Sequence, residues 1–127
     1  MSLRHPIGRA RGLGSAKSGT GHFIVQRVTA AFLVPLLIWF AVAVGGLAGA
    51  DYATIVAWVS SPIVAILLIS LVTLGCYHLY LGLQVIVEDY VYGEFNKLAT
   101  LLFCRAIAFL LGLAGIYSVL RISFGGF

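Results

Sequence analysis

Charge is what this 127-residue chain has least of: eight Lys and Arg and four Asp and Glu make up 9% of it, against about a quarter in soluble globular domains. With 61% of its residues hydrophobic, it has too little polar surface to cover a water-facing fold. Regular apolar and polar alternation is missing too, which excludes barrel strands, and a sheet too small to close would leave unpaired backbone in lipid. Cysteine is scarce. Cys76 and Cys104 each sit in an apolar stretch, in neither a C-x-x-C pair nor a C-x-x-C-H haem attachment site, and read as small packing residues. The sequence shows no nucleophile beside a base, no metal-binding carboxylate cluster and no nucleotide fingerprint. Gly14-Ser15-Ala16-Lys17-Ser18 approaches a phosphate loop but fails, because Ala16 stands where glycine must precede the lysine and no strand leads into it. A self-contained active site is therefore excluded, and nothing suits the chain to nucleic acid.

What is present is three apolar runs, each near the roughly 20 residues that cross about 30 Å of hydrocarbon as helix. They place transmembrane helices at about 27–47, 62–90 and 98–120 and make the chain an all-α integral membrane protein. Residues 25–127 form the anchor domain. Residues 1–24, with Arg4, Arg9, Arg11, Lys17 and a Gly- and Ser-rich run, read as a flexible basic tail that stays attached, although this composition also suits a mitochondrial transit segment. The loop 48–61 carries no Lys or Arg, so the positive-inside rule puts the N-terminus on the cytoplasmic or matrix side. Lys97 then falls on that side and Arg121 on the other. Ser60, Ser61 and Pro62 make a helix start, and Pro35 is a site for a kink. Arg105 reads as a snorkelling residue, with Ala108, Gly112 and Gly115 allowing close helix approach.

An ionisable side chain inside a bilayer is costly and marks function by default. His78 is the clearest case, near the middle of the second helix, while His5 and His22 lie outside the spans. At about 100° per residue, Gly75 and Gly82 fall within about 60° of it, one turn to either side. Such a strip suits a flat cofactor docking edge-on, with the imidazole as axial ligand to haem iron. It equally suits an interhelical hydrogen bond with the glycines serving packing, and spacing does not decide between them. A bis-histidine haem would need its second ligand from another chain, because no other histidine here reaches membrane depth. Three helices are also a thin enclosure for a porphyrin, so the chain belongs in a complex.

Asp89 and Tyr90 follow eleven and twelve residues later. Eleven steps bring Asp89 back to within about 20° of the histidine's direction, roughly 16 Å along the axis. Glu88 and Asp89 oppose the helix dipole at this C-terminus and call for a partner or role. An interfacial polar cap with Tyr90, Tyr92 and Phe95 in the aromatic belt explains them as well. Arg27 opens the first helix on the same side, suited to a carboxylate such as a haem propionate or to plain snorkelling.

The second-helix pattern HLYLGLQVIVEDY, from His78 through Gly82 to Asp89 and Tyr90, and the first-helix entrance QRVTA from Gln26 to Ala30, resemble the hydrophobic membrane anchor (D) subunits of succinate dehydrogenase, respiratory complex II. The resemblance spans most of the chain. It implies that His78 is one axial ligand, and so the iron ligand, of a haem b shared with the cytochrome b556 (C) anchor subunit. It further implies that Arg27 lies by a propionate, that Tyr90 hydrogen-bonds ubiquinone and that Asp89 stands beside that site, plausible for proton supply. The anchor would pack with its partner into a helical bundle in a bacterial or mitochondrial inner membrane. FAD and iron-sulfur clusters would sit in the flavoprotein and iron-sulfur subunits, which carry electrons from succinate to the membrane in the tricarboxylic acid cycle. The alternatives are an anchor of a fumarate reductase or another quinone-linked cytochrome b enzyme, or a non-redox membrane assembly protein.

Overall fold

The structure, a computed structural model, describes Ile7 and residues 19–125. The basic residues Arg4, Arg9, Arg11 and Lys17 and the Gly14–Ser18 segment lie outside the described residues. The described chain is helical, without strands, and runs α1 (Gly19–Gly46), α2 (Tyr52–Ser60), α3 (Pro62–Tyr90) and α4 (Glu94–Ser123). α1, α3 and α4 are each long and apolar enough to cross a membrane. The chain is a multi-pass, all-α membrane protein.

Two segments differ from the sequence reading. Residues 19–24, assigned there to the tail, are the first turns of α1, so Arg27 sits eight residues inside the helix, about 12 Å from its start. The Arg27 guanidinium lies 4.3 Å from the Phe23 ring centroid, an i,i+4 cation–π pair that exists only if the helix includes Phe23. The second difference is α2, cut from what reads as a loop. Asp51 caps it by accepting from the Thr54 backbone N–H at 3.0 Å, but nine residues are too few to span a bilayer. α2 instead lies across the far end of the α3–α4 pair, where the Ser60 hydroxyl donates to the Ile122 carbonyl at 3.3 Å. Trp58 stacks on Trp39 of α1, centroids 6.0 Å apart. The Thr54 hydroxyl and backbone N–H hold the Asp51 carboxyl below its ordinary pKa. A depressed folded-state value means that the cap is intact above the ordinary carboxylate range and lost as pH falls through the depressed value. Amide-exchange protection in α2 is therefore expected to drop in acid, and Asp51→Asn, which caps without ionising, should remove that pH dependence.

α3 is the central element. It packs against α4 along most of its length and against α1 on another side, and no contact joins α1 to α4 among the described residues. The three spans form a row, not a closed bundle. Between α3 and α4 the approach is close: a Cβ built on Gly115 would lie 2.7 Å from Val72 Cγ1, while one on Gly112 would meet Cys76 Cβ at an ordinary 3.7 Å. The turn into α4 needs Gly93, whose φ of 85° is strained for residues with a side chain. Buried residues are few, among them Leu33, Leu68, Leu81, Val87 and Ala108. α1 stays helical through Pro35. Some hydroxyls in the spans bond the preceding turn, as Ser70 does on the Ile66 carbonyl and Ser118 on that of Ala114.

Candidate functional site

The α1–α3 seam is mostly apolar, with Ser70 lining a groove beside Leu36 and Trp39 and one polar contact across the helices at the level of His78. There Thr29, 6% exposed and one turn from the buried Leu33, meets His78 across the helices, with Thr29 Oγ1 3.0 Å from His78 Nδ1. The same Oγ1 is 2.8 Å from the Val25 carbonyl oxygen and 3.0 Å from that of Gln26. This is the only hydrogen bond of the His78 side chain among the described residues, and Nε2 has no such partner. Nor is Nε2 sealed away, since the one buried, unpartnered side-chain nitrogen or oxygen among the described residues is His22 Nε2.

The interhelical hydrogen bond that spacing left open is thus present, whereas the packing role for Gly75 and Gly82 is not. A Cβ at either position would meet nothing within 4 Å. Neither glycine therefore serves helix packing within this chain; the packing glycines are Gly112 and Gly115 on α4. His78 consequently has a polar anchor on one nitrogen, a free second nitrogen and open space one turn above and below. That donor set fits a haem held by a single imidazole from this chain. No group of three or more His, Cys, Asp or Glu that could cage a bare metal ion occurs among the described residues.

The remaining sequence candidates are placed but not joined to each other. Asp89 and Tyr90 end α3, both exposed, Tyr90 by 76%, and neither makes a side-chain hydrogen bond among the described residues. Glu88 accepts from Gln84 Nε2 at 2.9 Å, which gives one of the two dipole-opposing carboxylates a local partner. Arg27 is two residues from Thr29, about 200° around α1, so it is not on the face that meets His78. It makes no ion pair with Asp89 among the described residues. Its guanidinium stacks on Phe23.

Two features escaped the sequence. Thr29 was legible only as part of the helix entrance; the available signal was a hydroxyl spaced i,i+4 from Leu33 on an apolar face. Arg105 has a partner the sequence did not show: its Nη2 and Nε donate to Tyr80 Oη at 2.8 and 3.2 Å, tying the guanidinium to α3. This pair borders a groove of about 600 Å³ between α3 and α4, lined also by Tyr77, Gln84 and Phe109. His78 does not line it, since Tyr80 points about 200° away around α3.

With this geometry in view, comparison with known proteins is specific. Residues 1–119 match the family model for the succinate dehydrogenase/fumarate reductase transmembrane subunit. The chain is 38% identical over 96 residues to the succinate dehydrogenase hydrophobic membrane anchor subunit of Rickettsia bellii, covering 76% of this chain and 75% of that one. It is 28% identical over 120 residues to the protein of the same description from Paracoccus denitrificans, covering 94% and 92%. No solved structure matches significantly. The chain belongs to the succinate dehydrogenase/fumarate reductase transmembrane subunit family, among the hydrophobic membrane anchor subunits of succinate dehydrogenase.

Proposed function

We propose that this anchor serves a succinate:ubiquinone oxidoreductase in which His78 is one axial ligand of haem b and Asp89 and Tyr90 form part of the ubiquinone-reduction site. The observation that carries the haem reading is the Thr29–His78 hydrogen bond, which engages Nδ1 and leaves Nε2 free between two open glycines. A second histidine ligand would come from another chain, in this reading the cytochrome b556 (C) subunit. Haem b, when bound, supplies a one-electron store within reach of the membrane electron path. Succinate oxidation on FAD and transfer through iron-sulfur clusters belong to the flavoprotein and iron-sulfur subunits. Arg27, the one Lys or Arg of α1, would be the residue of this chain to hold a propionate.

Ubiquinone reduction takes up two protons, so its site needs hydrogen-bond donors and a group that exchanges protons with water. At the end of α3, Tyr90 donates its phenolic hydrogen to a quinone carbonyl oxygen, and the adjacent Asp89 carboxyl passes protons from solvent. Both side chains are exposed in the single chain and thus free to meet a substrate and partner subunits. The N-terminus and the Tyr90 end face the cytoplasm of a bacterium, or the matrix of a mitochondrion, the orientation that the lysine and arginine bias favours.

Tyr90→Phe tests the quinone half. Loss of a donor opposite a polar acceptor costs about 1–3 kcal/mol, or roughly a 5-fold to 150-fold fall in succinate-to-ubiquinone turnover. Succinate oxidation by an artificial acceptor that takes electrons upstream should be unchanged. Equal losses in both assays would show that Tyr90 acts on assembly instead.

A further inference from the structure

We propose that Thr29 is the positioning residue for His78: its hydroxyl fixes the imidazole as the Nδ1–H tautomer and so makes Nε2 the ligating atom. The inference rests on the haem-ligand reading above and goes beyond it to what holds the ligand.

The assignment follows from counting protons. A threonine hydroxyl has one hydrogen to donate and lone pairs to accept with. Thr29 Oγ1 has two backbone carbonyl oxygens within reach, Val25 at 2.8 Å and Gln26 at 3.0 Å, and a carbonyl oxygen can only accept. Its hydrogen is spent on one of them. Oγ1 can then meet His78 Nδ1, 3.0 Å away, only as acceptor, so Nδ1 carries the proton and Nε2 carries the lone pair. The opposite arrangement, with Thr29 donating to Nδ1, would leave the proton on Nε2 and the histidine unable to bind iron. Burial enforces the choice. Thr29 is 6% exposed, so water cannot take over either bond, and branching at Cβ restricts its χ1 in a helix to the rotamers that reach the preceding carbonyls.

Two consequences extend to haem. A fixed ring plane presents Nε2 in one direction, and a hydrogen bond accepted from Nδ1–H makes the imidazole a stronger donor to iron, which favours the ferric state. Thr29 thereby sets both affinity and potential from a position one atom removed from the iron's ligand. It touches neither quinone nor haem in this reading.

The experiment compares Thr29→Val, Thr29→Ser and His78→Ala in the intact, gently solubilised complex. Valine keeps the shape and removes the hydroxyl, leaving Nδ1–H buried without an acceptor. Thr29→Val is expected to weaken haem retention on the order of 10-fold to 100-fold, the range for losing such an outer partner, and to shift the haem midpoint potential upward. Thr29→Ser should restore both. Complex assembly, followed by succinate oxidation with an artificial acceptor, should stay at the wild-type level in the two Thr29 variants. Wild-type haem retention and potential in Thr29→Val, with haem lost in His78→Ala, would overturn the positioning role. Failure of Thr29→Ser to restore them would overturn it too, because a hydroxyl at this position would then not be what holds the imidazole. An unchanged haem spectrum in His78→Ala would instead overturn the ligand reading on which the inference rests.

Discussion

Replacing His78 with alanine is expected to remove the b-type absorption of the complex altogether while leaving succinate oxidation by an artificial acceptor intact. The size of the effect follows from position: His78 is the one histidine of α3, while His22 sits in the first turn of α1 and His5 precedes that helix in the sequence. No second side chain in the α1–α3 seam can substitute, since the polar residue facing His78 is Thr29, whose hydroxyl is engaged with backbone. The fold should survive the change. His78 is only half-buried, and its loss frees one threonine hydroxyl that keeps its carbonyl acceptors, so no buried donor is stranded. The reduced-minus-oxidised spectrum of the solubilised complex checks this directly. A persisting spectrum in an assembled complex would mean that the haem is ligated wholly by other subunits and that His78 does no more than bond Thr29.

The spans were legible because crossing a bilayer demands about twenty apolar residues in a row, a constraint strong enough to read without knowing any contact. α2 was not, because nine mostly apolar residues satisfy no such constraint and what makes them helical, the Asp51 cap and the burial of Val59, is local or tertiary. The start of α1 at Gly19 escaped for a related reason: two glycines suggest a tail, yet Phe23 beneath Arg27 holds the first turns. At the site, His78 was legible from its cost in lipid alone. Thr29 was not, since a threonine pays for its own hydroxyl on the preceding turn and carries no visible debt; only the pairing of two helix faces shows what it touches. The partner of Arg105 was equally invisible, because Tyr80, which accepts from its guanidinium, lies on another helix and only the pairing of α3 with α4 brings the two together.

Leucine at Gly115 and leucine at Gly82 are expected to fail in different ways, and the contrast separates packing from cofactor space. At Gly115 even a Cβ would sit 2.7 Å from Val72 Cγ1 and 3.3 Å from Cγ2, and a valine in a helix has little rotamer freedom with which to yield. Overpacking of this kind costs about 1–3 kcal/mol for added methylenes, and a full leucine forces α3 and α4 apart along their main seam. Gly115→Leu should therefore abolish the assembled complex. Val72→Ala should recover part of the loss in the milder Gly115→Ala variant, because it removes the two methyls that the new Cβ strikes. At Gly82 nothing lies within 4 Å, so leucine should leave the single chain and its assembly intact. It would nevertheless stand one turn from His78, within about 40° around the helix, in the space a macrocycle needs. The expected result for Gly82→Leu is a complex that oxidises succinate with an artificial acceptor at the wild-type rate and carries little haem. Loss of assembly in Gly82→Leu would show that the cleared strip receives a partner helix, and a full haem complement would show that the macrocycle docks elsewhere along α3.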